Sequence, residues 1–142
     1  MPKLLVPFDG SDPAVRALRH AIALARAVPG ASIHLVHAHE AADAEGAVAI
    51  YVSHDELAAR QRDHSEGLLA EGRRMLDEAG VPYATEILVG RVGEAIAKRA
   101  DELQCNSIVM GTRGMGTVGN LLMGSVSTKV VHHAHVPVTL VK

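Results

Sequence analysis

Apolar residues run unbroken at Leu4-Leu5-Val6, the pattern of a short strand covered on both faces. The rhythm then changes. Ala14, Ala17, Leu18, Ala21, Ile22, Ala25 and Val28 recur at intervals of three and four, which predicts a helix with one buried stripe. Ser11 or Asp12 can cap its start, Pro13 is tolerated in its first turn, and Pro29-Gly30 ends it. Residues 32–38 read as a second strand. Residues 40–52 show no convincing period and predict a long, mobile connection. Ser53 and Glu56 form a capping box that opens a long helix ending near Gly80. A third strand follows at 83–89, and Val92, Ile96, Ala100 and Leu103 give a third helix its inner face. A fourth strand at 107–110, a helix from Ser125 and a fifth strand from Val136 complete the series.

Strict alternation of strand and helix predicts an α/β domain, with a parallel sheet, right-handed crossovers and helices on both faces. In such sheets ligands bind beyond the carboxyl ends of the strands, where the strand order reverses. That rule brings Asp9, after the first strand, together with Gly111, after the fourth.

The second of these places is rich in glycine. Gly111-Thr112-Arg113-Gly114 is followed by nine residues and then Gly124-Ser125, where a helix begins. A helix start leaves backbone N–H groups unpaired and carries partial positive charge, so it suits an anion. Glycine lets such a backbone approach a phosphate closely. Walker A is excluded, because no Gly-Lys-Ser/Thr ending occurs. A literal G-x-G-x-x-G stands at Gly114, Gly116 and Gly119. The dinucleotide fingerprint also needs an acidic residue about 20 positions later, and none follows, so the match is accidental.

Gly-x2-Gly-x9-Gly-Ser, with Pro7-Phe8-Asp9-Gly10-Ser11 and the closing Val136-Pro137-Val138-Thr139-Leu140-Val141, resembles the universal stress protein family across essentially the whole chain. The resemblance implies a single Rossmann-like domain over residues 1–142, with strand order 3-2-1-4-5, in the nucleotide-binding branch of the family. It implies that Asp9 holds ribose hydroxyls and that the Ala38 backbone faces adenine. It further implies that Gly111, Gly114, Gly124 and Ser125 surround phosphates, with Val126 adding an N–H and Ser127 a hydroxyl. ATP is the implied cofactor, with Mg²⁺ shared between its phosphates and water. Each position also has a plainer role: Asp9 as a turn or cap residue, Ala38 as a strand end, the glycines as loop joints. One departure is Asn106, where many relatives carry an acidic residue before the fourth strand. Relatives also pair their last strand with its copy in a second subunit, so the resemblance implies a homodimer that protects an apolar edge.

Composition narrows the field. A net charge of −2 gives no electrostatic case for nucleic acid, and Phe8, Tyr51 and Tyr83 are too few for a base-stacking platform. No run reaches the length of a membrane span, and the first residues are apolar too briefly for a signal peptide. Cys105 stands alone, which rules out an intramolecular disulfide, fits the cytoplasm and reads as a small buried hydrophobe. His132, His133 and His135 invite a metal reading, but residues on one helix end and its turn point apart, and a dipole role suits them better. His37 and His39 flank Ala38, close to the expected nucleotide or simply at a strand end. The leading expectation is an ATP-binding stress-response module that regulates or senses, with at most slow hydrolysis. The alternatives are a true ATPase or ATP-dependent transferase, and a nucleotide-free dimeric interaction or chaperone-like module. A pyrophosphatase loop, Ser-Gly-Gly-x-Asp-Ser, is absent after the first strand.

Overall fold

The computed structural model describes residues 1–41, 53–112 and 124–142. Within them the chain alternates β1 (Lys3–Pro7), α1 (Asp12–Ala27), β2 (Ser32–His39), α2 (His54–Ala79), β3 (Tyr83–Val89), α3 (Val92–Glu102), β4 (Ser107–Gly111), α4 (Ser125–His133) and β5 (Val138–Val141). The sheet is five-stranded in the order β3-β2-β1-β4-β5, and every pairing is parallel. The reading of an open, doubly wound sheet with strand order 3-2-1-4-5 therefore holds.

Two cores sit on its two faces. Alternate strand residues Leu4, Val6, Ile33, Leu35 and Val109 pack under α1 and under Leu69 and Leu76 of α2. Their neighbours Leu5, Val36, Ile108 and Met110 pack with Ile96 and Ala100 of α3 and Val130 of α4. Burial on both faces explains why β1 and β4 are apolar without alternation. The Cys105 thiol is buried among the second set, and burial pushes its pKa up. Among the described residues no helix is long and apolar enough to cross a membrane.

Local signals account for most boundaries. Ser11 and Ser53 accept hydrogen bonds from the N–H groups of Ala14 and Glu56, capping α1 and α2. Gly80 ends α2 at φ +70°, a left-handed turn that suits glycine. Two expectations shift. Helix α1 stops at Ala27, so Val28 leaves the stripe and lies exposed, its N–H turned back to the Ala25 carbonyl. β5 starts at Val138 rather than Val136, because its ladder with β4 opens where the Pro137 carbonyl accepts the Ile108 N–H. The expected connection at 40–52 lies outside the described residues from 42 onward.

One polar cluster ties α3 to the sheet. Glu86 Oε2 accepts from His34 Nε2 at 2.7 Å and from Arg99 Nε at 2.9 Å. Burial alone would raise the Glu86 carboxyl, but the bonds from Arg99 and His34 outweigh it and hold the group below its ordinary 4.5. A depressed carboxylate stabilises the fold above its ordinary pKa, and that contribution fades as pH falls through the depressed value. Glu86→Gln is accordingly expected to lower stability at pH 7 by less than ~1 kcal/mol, since both partners reach solvent. In a pH series of thermal melts, the gap to the wild type should narrow as pH falls below 4.5. A gap that widened in acid would contradict this account.

Candidate functional site

The strand order reverses between β1 and β4, which lie side by side with Leu4 opposite Ser107 and Leu5 opposite Ile108. From β1 the chain works outward to β2 and β3, then returns to the other side of β1 for β4 and β5. The loops leaving β1 and β4 thus part to opposite faces, and the crevice between them is where such sheets bind ligands.

On the β1 side, Asp9 and Gly10 carry the chain into α1. Gly10 takes φ +78°, and a Cβ there would come within 2.9 Å of Leu68 in α2. Asp9 Oδ1 accepts from the Ser11 N–H at 2.9 Å and from the Ser11 hydroxyl, so the carboxylate is locked onto the turn. Oδ2 takes no hydrogen bond among the described residues, and Asp9 is exposed. Asp9 is thereby both the turn residue and an oriented, accessible acceptor.

On the β4 side, Gly111 ends the strand against the first turn of α1. A Cβ on it would lie 2.8 Å from Pro13 Cβ, 2.9 Å from the Pro13 carbonyl carbon and 3.1 Å from the Ala14 nitrogen. Glycine is needed there for close approach of two backbones. The chain then returns to the same point. The Gly124 N–H donates to the Thr112 carbonyl at 2.5 Å, and the Ser127 hydroxyl donates to that carbonyl at 2.7 Å. Thr112 is itself held by its N–H on the Val141 carbonyl of β5. Gly114, expected among the phosphate residues, lies outside the described residues, as do Arg113 and the rest of 113–123.

This clasp aims the start of α4. Gly124 is its N-cap and supplies no side-chain hydrogen bond, and the first turn holds no acidic residue. The first intrahelical N–H is that of Thr128, bonded to the Gly124 carbonyl. The amides of Ser125, Val126 and Ser127 precede it and have no partner among the described residues. Helices α1 and α2 meet the same need with a serine cap and an acidic first turn. Ser125 and Val126 are exposed, so two of the three amides belong to accessible residues. The sequence contains no Asp or Glu after Glu102, so neither α4 nor the chain leading into it carries a carboxylate to offset the partial positive charge of this helix end. Ser127 differs from its neighbours: it is 2 % exposed and its hydroxyl proton is turned inward. Its side chain holds the clasp, and its amide is what it presents to the helix start.

Ala38 completes the crevice on the β2 side. Strand bonding alternates, and the Val36 carbonyl accepts from Phe8 of β1 while the His39 carbonyl accepts from Gly90 after β3. The N–H and C=O of Ala38 therefore point to the β1 side, past the last residue of β1. Neither group has a backbone partner among the described residues.

Two contributions arise from contacts between residues distant in sequence. Thr112 sits inside the glycine motif, but its carbonyl becomes a joint only when residues 124–127 fold back onto it. His37 was noted as a neighbour of Ala38, yet its bond from Nδ1 to the Phe8 carbonyl, 2.9 Å, depends on register between two strands. Two of the histidines near the end of the chain turn toward α3. His135 Nδ1 lies 2.7 Å from Asp101 Oδ2 and His133 Nε2 lies 3.7 Å from Glu94 Oε1, both acids of α3. Among the described residues no three His, Cys, Asp or Glu side chains gather as a metal site. Lys129 packs beside Gly93 at the contact of α3 with α4. A separate depression of about 460 Å³ lies between α1 and α2, lined by Phe8, Ile22, Arg74 and Met75 among others, with no residue of β4 or α4.

Fold and crevice define a doubly wound α/β domain with an open crevice at its topological switch point. The chain belongs to the universal stress protein family, whose sequence model matches residues 1–142. It is 40 % identical over 143 residues to a universal stress protein of Thermus aquaticus, covering 98 % of this chain and 97 % of the relative. Among solved structures it is similar to MJ0577 of Methanocaldococcus jannaschii, with a TM-score of 0.86, 26 % identity and coverage of 99 % and 95 % of the two chains. It is also similar to the universal stress protein of Archaeoglobus fulgidus solved in complex with dAMP, with a TM-score of 0.68, 26 % identity and coverage of 100 % and 98 %.

Proposed function

We propose that this chain binds an adenine nucleotide in the β1–β4 crevice and acts as a cytoplasmic stress-response module that regulates or senses. The observation that carries the reading is the start of α4: three amides without a partner among the described residues, no side-chain cap and no acid in the first turn. Each hydrogen bond from such an amide to a charged phosphate oxygen is worth roughly 1.5–3 kcal/mol. The phosphates lie on Ser125, Val126 and Ser127, beside Gly111 and Gly124, with Gly114 assigned by the family motif. Asp9 Oδ2 takes the ribose hydroxyls, and the Ala38 backbone takes the base. The dAMP complex of the A. fulgidus relative supports an adenine ligand for the fold.

ATP is the nucleotide proposed. Mg²⁺ enters on the phosphates and water, because the described residues gather no acidic cage for it. Hydrolysis is slow at most: efficient phosphoryl transfer needs a base or a residue that orients water, and Asp9, a carboxylate at the crevice, is tied to its turn. β5 is an edge strand whose Val138, Leu140 and Val141 are only half-buried, and a second copy pairing along it gives a homodimer. Calorimetric titration of nucleotide-stripped protein with ATP and Mg²⁺ tests the reading. Saturable binding near one nucleotide per chain is expected, with turnover far below ordinary enzyme rates of about 1–10³ s⁻¹. Folded protein that binds no adenine nucleotide would refute it.

A further inference from the structure

We propose that His37 is a positioning residue for the base: its imidazole ends the β1–β2 ladder early and so keeps the backbone pair of Ala38 open to adenine. The inference rests on the adenine-nucleotide reading above and adds a determinant of base choice to it.

The ladder itself shows the substitution. Pro7 pairs with Val36, and the Phe8 N–H donates to the Val36 carbonyl at 2.7 Å. The next bond of a parallel ladder would run from the Ala38 N–H to the Phe8 carbonyl. That bond is not made, and His37 Nδ1 stands 2.9 Å from the Phe8 carbonyl instead. A carbonyl only accepts, so Nδ1 carries the proton. The side chain thus satisfies the acceptor that would otherwise capture the Ala38 amide, which a partly buried carbonyl requires.

The result is a donor and an acceptor from one residue, Ala38, aimed side by side past the end of β1. Adenine offers the matching edge, with N1 accepting and the N6 amino group donating. Hypoxanthine, the base of ITP, reverses both: N1–H donates and O6 accepts. With ribose and phosphates held elsewhere, the base cannot turn over to recover the match. A site built on such a pair rejects the reversed edge, because both backbone groups are then left unpaired.

The test compares ATP with ITP on wild type, His37→Ala and His37→Asn. The Asn side-chain amide can place a donor where Nδ1 stands. Wild type should prefer ATP by about tenfold or more, the cost of one or two mispaired hydrogen bonds. In His37→Ala the ladder closes onto Ala38, so ATP affinity should fall to about that of ITP while ITP binding is little changed. His37→Asn should restore the preference. Retained preference in His37→Ala, or failure of a folded His37→Asn to restore it, would overturn the proposal. Amide hydrogen exchange provides a readout without nucleotide. The Ala38 amide should exchange fast in wild type and become protected in His37→Ala. A protected Ala38 amide in the unliganded wild type would overturn the proposal even if no nucleotide binds, whereas absence of ATP binding alone strikes the functional reading.

Discussion

Gly124→Asp is expected to melt no lower than the wild type and to bind ATP about a hundredfold more weakly or worse. The two effects have one cause. Gly124 is the N-cap of α4 at φ −78° and ψ 171°, a conformation that aspartate adopts without strain and prefers at this position. An introduced carboxylate accepts the amides of Val126 or Ser127 and complements the helix dipole, a gain of a few tenths of a kcal/mol. The same carboxylate occupies the donors assigned to phosphate and repels it. Losing two charge-assisted hydrogen bonds at ~1.5 kcal/mol or more each gives roughly the hundredfold loss. Gly124→Asn caps the helix without the charge and should fall between the two proteins. Thermal melts and calorimetry on the three proteins check the pair of signs. Unchanged ATP affinity in Gly124→Asp would place the phosphates somewhere other than α4.

Gly111→Val is expected to act in the opposite sense, on the fold first. Its Cβ would stand within about the same 3 Å of two backbone atoms of α1, the Pro13 carbonyl carbon and the Ala14 nitrogen. A flexible side chain could swing aside, but a helix start bonded to its cap cannot, so α1 and β4 must separate. Overpacking of this kind costs about 1–3 kcal/mol. For a chain of this size that corresponds to a fall in melting temperature of roughly 2–4 °C per kcal/mol. Gly67 offers a contrast in the same molecule. It lies in α2 with nothing within 4 Å of its would-be Cβ, so Gly67→Ala should stabilise the protein by ~0.5–1 kcal/mol. If Gly111→Val melted with the wild type, the close contact of β4 with α1 would be wrong.

How much of this was legible in the residues depends on the range of the forces involved. The apolar runs of β1 and β4, the stripe of α1 and the serine caps are local patterns, and alternation of strand and helix left few topologies open. Val28 shows the limit: it continues the periodicity of α1 but follows the last helical residue, and only the returning backbone decides that. The glycine spacing marked the neighbourhood of the crevice, yet not what each glycine faces. Gly111 meets Pro13 and Ala14, nearly a hundred positions earlier in the chain. Ser127 was expected to offer its hydroxyl to a ligand. Its proton instead closes a bond to Thr112 that exists only because the chain doubles back. Ala38 and His37 carry the same lesson, since which backbone groups stay open at a strand end is set by the neighbouring strand's register and not by the residues themselves.

The most direct test of the central claim is an amide NMR titration of nucleotide-stripped protein with ATP and Mg²⁺. The account predicts that the largest saturable shifts fall on Ser125, Val126, Ser127 and Ala38, residues far apart in sequence that meet at one crevice. Shifts confined to the depression between α1 and α2, or no saturable shifts at all, would contradict it.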